Sequence, residues 1–354
     1  MGKSSGALVG AWGQEWIVRS IRTVIGVFAI AALLGNTASA EDRAVDRAGW
    51  PSSVTIATAS AGGTYAIYGE GIARIIRDAV GIPASTENTQ GPSQNLVLVQ
   101  NRSIALGMTT LGPAWEAWNG QLDINPGVQH RDLRALFPMY EAPYQIVALS
   151  KGGKGIASVH ELDGKVVGVG PATATGAKYF PIWFRNAGVH VSIRTGPYMN
   201  LAGDLLAGRL DAITFAGGAP NPSIAELEST QGINLFTFSD SERAKLLREN
   251  PFLSPFTVRA GTYRSLAVPQ TTVAMWNFAI ANKSLPDGLA YEIVRDVLEN
   301  NAALRKVHDA AQETTAANVV HNRFLWFHPG AIRYYRSIGL TIPDALIPPE
   351  LRGR

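Results

Sequence analysis

The chain contains no cysteine in 354 residues. That excludes disulfides, thiolate metal sites, a cysteine nucleophile and a lipid anchor on an N-terminal cysteine. Charge is also scarce, with 31 Lys and Arg against 28 Asp and Glu and a formal net charge of +3. So balanced a surface gives no electrostatic case for binding nucleic acid. Histidines number six, too few and too scattered to suggest a metal cluster. No segment beyond residue 40 is apolar for the roughly 20 residues a spanning helix needs.

The first forty residues have the layout of a secretory signal peptide. Lys3, Arg19 and Arg22 supply the basic part, Val24 to Leu34 the apolar run, and Ala38-Ser39-Ala40 the small-residue cleavage signal. Cleavage after Ala40 leaves 314 of 354 residues and, since the segment holds three basic residues and one acid, lowers the formal charge from +3 to +1. A chain of that length suits two domains of about 150 residues each better than one core.

The remaining chain alternates strand-like and helix-like segments, the pattern of an α/β fold. Val54 to Thr58 alternates as a short strand. It runs into the small-residue turn Ala59 to Tyr65, and Ile72, Ile75, Ile76 and Ala79 then mark one helical face. Further strands are expected at Ala84 to Glu87, Ile104 to Met108, Arg134 to Phe137, Gln145 to Leu149, Val166 to Val169 and Thr272 to Ile280. A helix is expected over Tyr179 to Ala187, and more helices from Gly288 onward. Val99 to Leu106 and Leu206 to Ile213 echo each other as helix end, tight turn and small-apolar strand, with Asn101 and Gly208 as the turn residues suited to left-handed backbone. The echo fits two similar lobes. The first comprises residues 41–150 plus about 270–354 and is discontinuous, because the Thr272 segment crosses back to it; the second comprises residues 151–269.

Three loops share one design: Ser60 to Tyr65, Gly170 to Gly176 and Gly217 to Ser223. Each follows an expected strand, and two precede a helix, whose free N–H groups and positive dipole end suit a carboxylate or phosphate. Any one of them could be an ordinary β–α turn; together, across two lobes, they point to a cleft. Lys178 is the one cation close to a candidate loop, while Arg102 and Arg209 belong at the far ends of strands. Enzyme signatures are missing: there is no G-x-S-x-G elbow, no H-E-x-x-H and no phosphate-binding lysine loop. Gly69 and Gly71 read as close packing inside a helix, His321 and His328 as packed or capping residues, and Asp163 and Asp211 as turn residues.

An ordered set of motifs carries a resemblance. Gly62-Gly63-Thr64-Tyr65, Gly91-Pro92-Ser93-Gln94-Asn95, Glu161 to Val166, Gly208 to Ala212, Pro251-Phe252 with Gly261-Thr262-Tyr263, and His328-Pro329-Gly330-Ala331 resemble the TAXI family. These are solute receptors of tripartite ATP-independent periplasmic (TRAP) transporters. The resemblance implies a two-lobe, type II-like periplasmic-binding-protein fold with the ligand cleft between the lobes. It implies a periplasmic, monomeric, non-enzymatic protein without metal or cofactor, which captures a small organic anion such as glutamate or a dicarboxylate and delivers it to membrane permease subunits. Carried over by motif, the site would use Gly62, Gly63, Thr64, Tyr65, Ser93 and Asn95 from the first lobe, and Thr173, Thr175, Ala219 and Pro220 from the second. Two segments depart from the family pattern, Thr109-Thr110-Leu111 and Thr173-Ala174-Thr175-Gly176, and both would face the ligand. The competing classes are a secreted hydrolase with an unrecognised nucleophile, and a sensor-input binding protein of the same fold.

Overall fold

A computed structural model describes residues 47–150 and 155–352. The expected signal peptide lies outside the described residues. The described residues from Arg47 onward form one compact unit. In chain order its first half runs β1 (Val54–Ala57), α1 (Thr64–Ile75), β2 (Ala84–Glu87), α2 (Pro92–Gln100), β3 (Leu106–Thr110) and α3 (Leu111–Asn119), then the long β4 (Leu133–Leu149). The second half runs β5 (Val166–Gly168), α4 (Thr175–Asn186), β6 (Ser192–Arg194), α5 (Tyr198–Leu206), β7 (Ala212–Ala216), α6 (Pro222–Thr230), β8 (Ile233–Phe236), α7 (Asp240–Glu249) and β9 (Leu253–Val258). The chain then returns through β10 (Gln270–Asn282) to α8 (Asp287–Glu299), α9 (Asn301–Arg305) and α10 (Pro329–Ser337).

The strand order is β2-β1-β3-β10-β4-β7-β5-β6, with β8 on β4 and β9 on β10. The two halves mirror each other about the β10/β4 centre. On one side β2, β1 and β3 are parallel and β10 is antiparallel to β3. On the other, β6, β5 and β7 are parallel and β4 is antiparallel to β7. The short sequence echo therefore leads into topologically equivalent strands, β3 and β7. Its first turn differs from expectation in one residue: Arg102, not Asn101, takes the left-handed backbone (φ 60°), whereas Gly208 does so as expected (φ 72°).

β4 is one strand of 17 residues, although the sequence reads as two separate strands. Its Leu133–Pro143 part pairs with β10, and its Tyr144–Leu149 part leaves β10 to pair with β7 and β8. The intervening Pro138 and Pro143 lack N–H donors, so the ladder cannot be continuous there. The register shifts on either side of the Pro138 pairing, between Trp276 and Phe278 and between Ala279 and Ile280, while Pro143 stays in register with Ala274. The Asn277 amide patches the gap by donating to the Tyr140 carbonyl at 2.8 Å. Both long strands are buried along almost their whole length, as strands covered on both faces must be.

Helices cover the sheets. α1 carries Tyr68, Ile72 and Ile75 into the first core and continues through a π-helical turn, Ile76–Val80, that ends at left-handed Gly81. Gly69 and Gly71 are packing glycines, as expected: a Cβ on Gly69 would stand 2.4 Å from the Thr58 methyl, and one on Gly71 2.7 Å from Leu304. In the second half, α4 buries Phe180, Trp183 and Phe184 against Tyr144 and Phe238. Among the described residues no helix is long and apolar enough to cross a membrane.

Candidate functional site

A cavity of about 400 Å³, including the space at its mouth, opens where the two halves meet. Its walls come from helix starts: Gly63, Thr64 and Tyr65 at α1, Gly91 and Pro92 at α2, Thr110 at α3, Ala174 and Thr175 at α4, and Tyr198 at α5. None of these five helices has a side-chain cap or an acidic residue in its first turn. The N–H groups of Thr64, Tyr65, Thr175 and Gly176 find no acceptor among the described residues. Of the other helices, α6, α7 and α10 are capped, by Asn221, by Ser239 in a capping box and by the buried His328, while α8 and α9 are not. Uncapped first turns converging on one cavity form a concentrated field of donors and partial positive charge.

No acidic, basic or histidine side chain lines the cavity among the described residues. Tyr140, from the centre of β4, joins Tyr65 and Tyr198 in its wall. The Tyr140 hydroxyl is buried beside Thr64 but makes no hydrogen bond of normal geometry, and burial holds it well above the usual phenol range. Ser60 Oγ and Thr173 Oγ1, next to wall residues, are likewise buried without a partner. Unpaired buried hydroxyls are costly and uncommon.

The halves touch directly around this cavity. The Thr110 and Thr175 hydroxyls are 2.7 Å apart, the Ser93 N–H donates to the Thr173 carbonyl at 3.3 Å, and Ser223 Oγ donates to the Gly62 carbonyl at 2.8 Å. Thr64 Oγ1 donates to the Gly218 carbonyl at 3.4 Å. The structure is thus a closed arrangement.

Of the residues expected at the site, Gly63, Thr64, Tyr65 and Thr175 line the cavity. Gly62, Ser93 and Thr173 sit at the contact between halves rather than in the wall. The left-handed position in the first loop is Gly62 (φ +84°), while Gly63 has an ordinary extended backbone (φ −92°). Asn95 is buried behind the loops. Its amide donates to the carbonyls of Ala57, Thr58 and Met108, and its oxygen accepts from Thr89. That full set of partners gives it a structural role. Ala219 and Pro220 are not brought to the cavity. Ala219 faces a separate polar pocket with Glu141, Arg259 and Glu313, and the Pro220 carbonyl accepts from His308 at 3.0 Å. The third loop does precede a helix, contrary to expectation, but Asn221 caps that helix by accepting from the Ser223 and Ile224 N–H groups. Those donors are therefore satisfied internally.

Lys178 is not a free cation over the site, because its ammonium lies 2.7 Å from Asp123 and 3.1 Å from Glu116. Asp163 and Asp211 serve their turns, accepting from the backbone of His190 and Val166. His321 stacks on Trp276 at 4.1 Å. Among the described residues no group of three or more His, Asp or Glu could hold a metal ion. Tyr140 and Tyr198 were not signalled in the sequence. Both sit beside strand or loop breaks rather than in small-residue loops, and only the strand order brings them to the cleft.

Two α/β halves mirrored about a pair of shared strands, with a ligand-sized cavity at their junction, define the periplasmic-binding-protein fold of the two-lobe, type II-like kind. At the level of fold the chain is similar to the periplasmic binding protein BugD, with a TM-score of 0.54 and 13% identity over 82% of this chain and 99% of that one. It is also similar to MatC from Rhodopseudomonas palustris, solved with bound malate, with a TM-score of 0.52 and 16% identity over 77% of this chain and 95% of that one. By sequence the chain belongs to the NMT1-like family, whose model matches residues 56–339.

Proposed function

We propose that this protein is an exported solute receptor that captures a small carboxylate between its lobes and hands it to a membrane permease, as the non-catalytic subunit of a TRAP transporter of the TAXI type. The observation that carries the reading is the convergence of five uncapped helix starts on one cavity without a charged side chain in its wall. Such a site offers fixed donors to an anion and offers a cation no carboxylate. The donors come from both lobes, so a bound anion holds the lobes together, which is the differential contact that ligand-driven closure requires. The first forty residues supply the export signal, which places the protein in the periplasm. The ordered TAXI-like motifs supply the permease partner. With this reading goes the lobe division expected from the sequence, residues 41–150 with about 270–354 in one lobe and 151–269 in the other.

A thermal-shift screen of carboxylates, sugars and cations on protein recovered from the periplasmic fraction tests this. A saturating carboxylate at 100-fold excess over its dissociation constant should stabilise the protein by about 2.7 kcal/mol. A response confined to sugars or cations, or recovery of the protein only in cytoplasm with residues 1–40 intact, would sink the reading.

A further inference from the structure

Building on the receptor reading, we infer that the ligand is a short monocarboxylate with a hydroxyl or oxo group beside its carboxylate, and that dicarboxylates and amino acids are excluded. Charge gives the first reason. All fourteen wall residues are uncharged. One carboxylate set between the Thr64 and Tyr65 N–H groups of one lobe and the Thr175 and Gly176 N–H groups of the other occupies the donors of both lobes. A second carboxylate would be buried against the rings of Tyr65, Tyr140 and Tyr198 with no cation to meet it. The nearby ammonium of Lys178 is already shared by Asp123 and Glu116. An ammonium on the ligand fares no better. Of the carboxylates in this region, Glu116 is held by Lys178 and Tyr179, Glu313 by the N–H of Glu141, and Glu141 by the Ser254 hydroxyl.

Size gives the second reason. At about 400 Å³ with its mouth included, the cavity stands at the small end of ligand pockets, which suits a short acid. The third reason is an unpaired hydroxyl in the wall. Tyr140, in the cavity wall, buries its hydroxyl oxygen without a partner, so a neutral oxygen on the ligand satisfies what the protein leaves unmet. Rejection of an analogue lacking that oxygen follows, because the buried group would stay unpaired.

The test is titration calorimetry on the full mature chain, unfolded and refolded to strip bound solute. The probes are 2-hydroxybutyrate and 2-oxobutyrate, then 2-aminobutyrate, which adds an ammonium, malate and 2-oxoglutarate, which add a carboxylate, 2-hydroxybutyramide, which removes the charge, and plain butyrate. The first two should bind on the order of a hundredfold more tightly than the ammonium, diacid and amide analogues. Tyr140→Phe should shrink the preference for 2-hydroxybutyrate over butyrate several-fold, a change in ratio that a merely structural role would not produce. Tighter binding of malate, 2-oxoglutarate or 2-aminobutyrate overturns the inference and leaves the carboxylate receptor standing. Equal binding of the amide, or no binding of any member, overturns both.

Discussion

The Thr110 hydroxyl, at the start of one lobe's helix, lies 2.7 Å from the Thr175 hydroxyl at the start of the other's. This contact exists only when the lobes are together, so its energy belongs to closure rather than to folding. A net contribution of about 0.5–1.5 kcal/mol is typical. Thr175→Val should therefore weaken ligand binding roughly 2- to 10-fold while the unfolding midpoint without ligand changes little. The Thr110→Val, Thr175→Val double variant should lose less than the two single losses added together, because they share one bond. Full additivity in calorimetry would show that the hydroxyls act separately.

Gly62 is the sharper glycine of the first loop. Its φ of +84° disfavours any side chain, and a Cβ there would stand 2.6 Å from Ser223 Oγ across the lobe contact. Gly62→Ala should block full closure, so that small-angle scattering shows less compaction on adding ligand. Gly63→Ala, whose Cβ would stand 3.3 Å from the Ser60 carbonyl, should compact nearly as the parent does. Ser223→Gly on the Gly62→Ala background should restore part of the closure. Equal compaction of all variants would remove Gly62 from the closing surface.

Asn95 separates a supporting residue from a ligand-touching one. Asn95→Ala strands the carbonyls of Ala57, Thr58 and Met108 without their shared donor. Destabilisation of about 1–3 kcal/mol is expected, read from urea unfolding. Affinity for ligand should fall only as far as the loss of folded protein explains. Unchanged stability with a large loss of affinity would put Asn95 in the ligand's contacts instead.

Glu313 makes stability depend on pH. Burial pushes its carboxyl up to about 7, with the neighbouring Glu141 carboxylate adding to the rise and the Glu141 N–H and Arg259 opposing it. A raised folded-state value means that the folded protein holds a proton the unfolded chain has released. The contribution is thus complete below about pH 4.5 and disappears as pH rises toward 7. The span corresponds to about 3 kcal/mol at most. Glu313→Gln keeps an acceptor for the Glu141 N–H and removes this titration. Its stability should fall less between pH 4.5 and 7 than the parent's. Burial also raises Glu141, so a smaller slope of the same sign should remain. Identical slopes would refute the assignment.

How much of this was written locally in the chain can be judged element by element. The first loop and its helix were readable because small residues, a strand and helical periodicity occur side by side, and β2 falls on Ala84–Glu87 as expected. α4 starts four residues earlier than its apolar face suggests, at Thr175, because the polar first turn of a helix carries little periodic signal. β4 reads as two strands because its prolines look like breaks, and only pairing with β10 keeps the segment extended. Tyr140 was invisible as a site residue for the same reason, being placed by the centre of a sheet whose strands come from opposite ends of the chain. Whether a loop is self-capped also escaped notice. Asn221 turns the third loop inward by one side-chain oxygen, while Gly63 and Ala174, with none to offer, leave theirs outward.

The pairing of β4 with β10 has a mechanical consequence. The chain runs between the two mirrored halves of the sheet along these two strands, which are bonded to each other over Leu133–Pro143 and Ala274–Asn282. They cannot swing as independent tethers. Together they should act as a torsion bar, resisting shear and permitting mainly twist, so that opening follows a single coordinate and the starts of α1, α2 and α3 move as one set away from those of α4 and α5. Stiffness along every other direction means that a solute cannot be gripped by half of the site: partial engagement costs nearly the same deformation as complete engagement and gains less. If it works as the receptor proposed above, the protein should therefore behave as an all-or-none latch, with the sharpness of its response set by the bar rather than by the cavity loops.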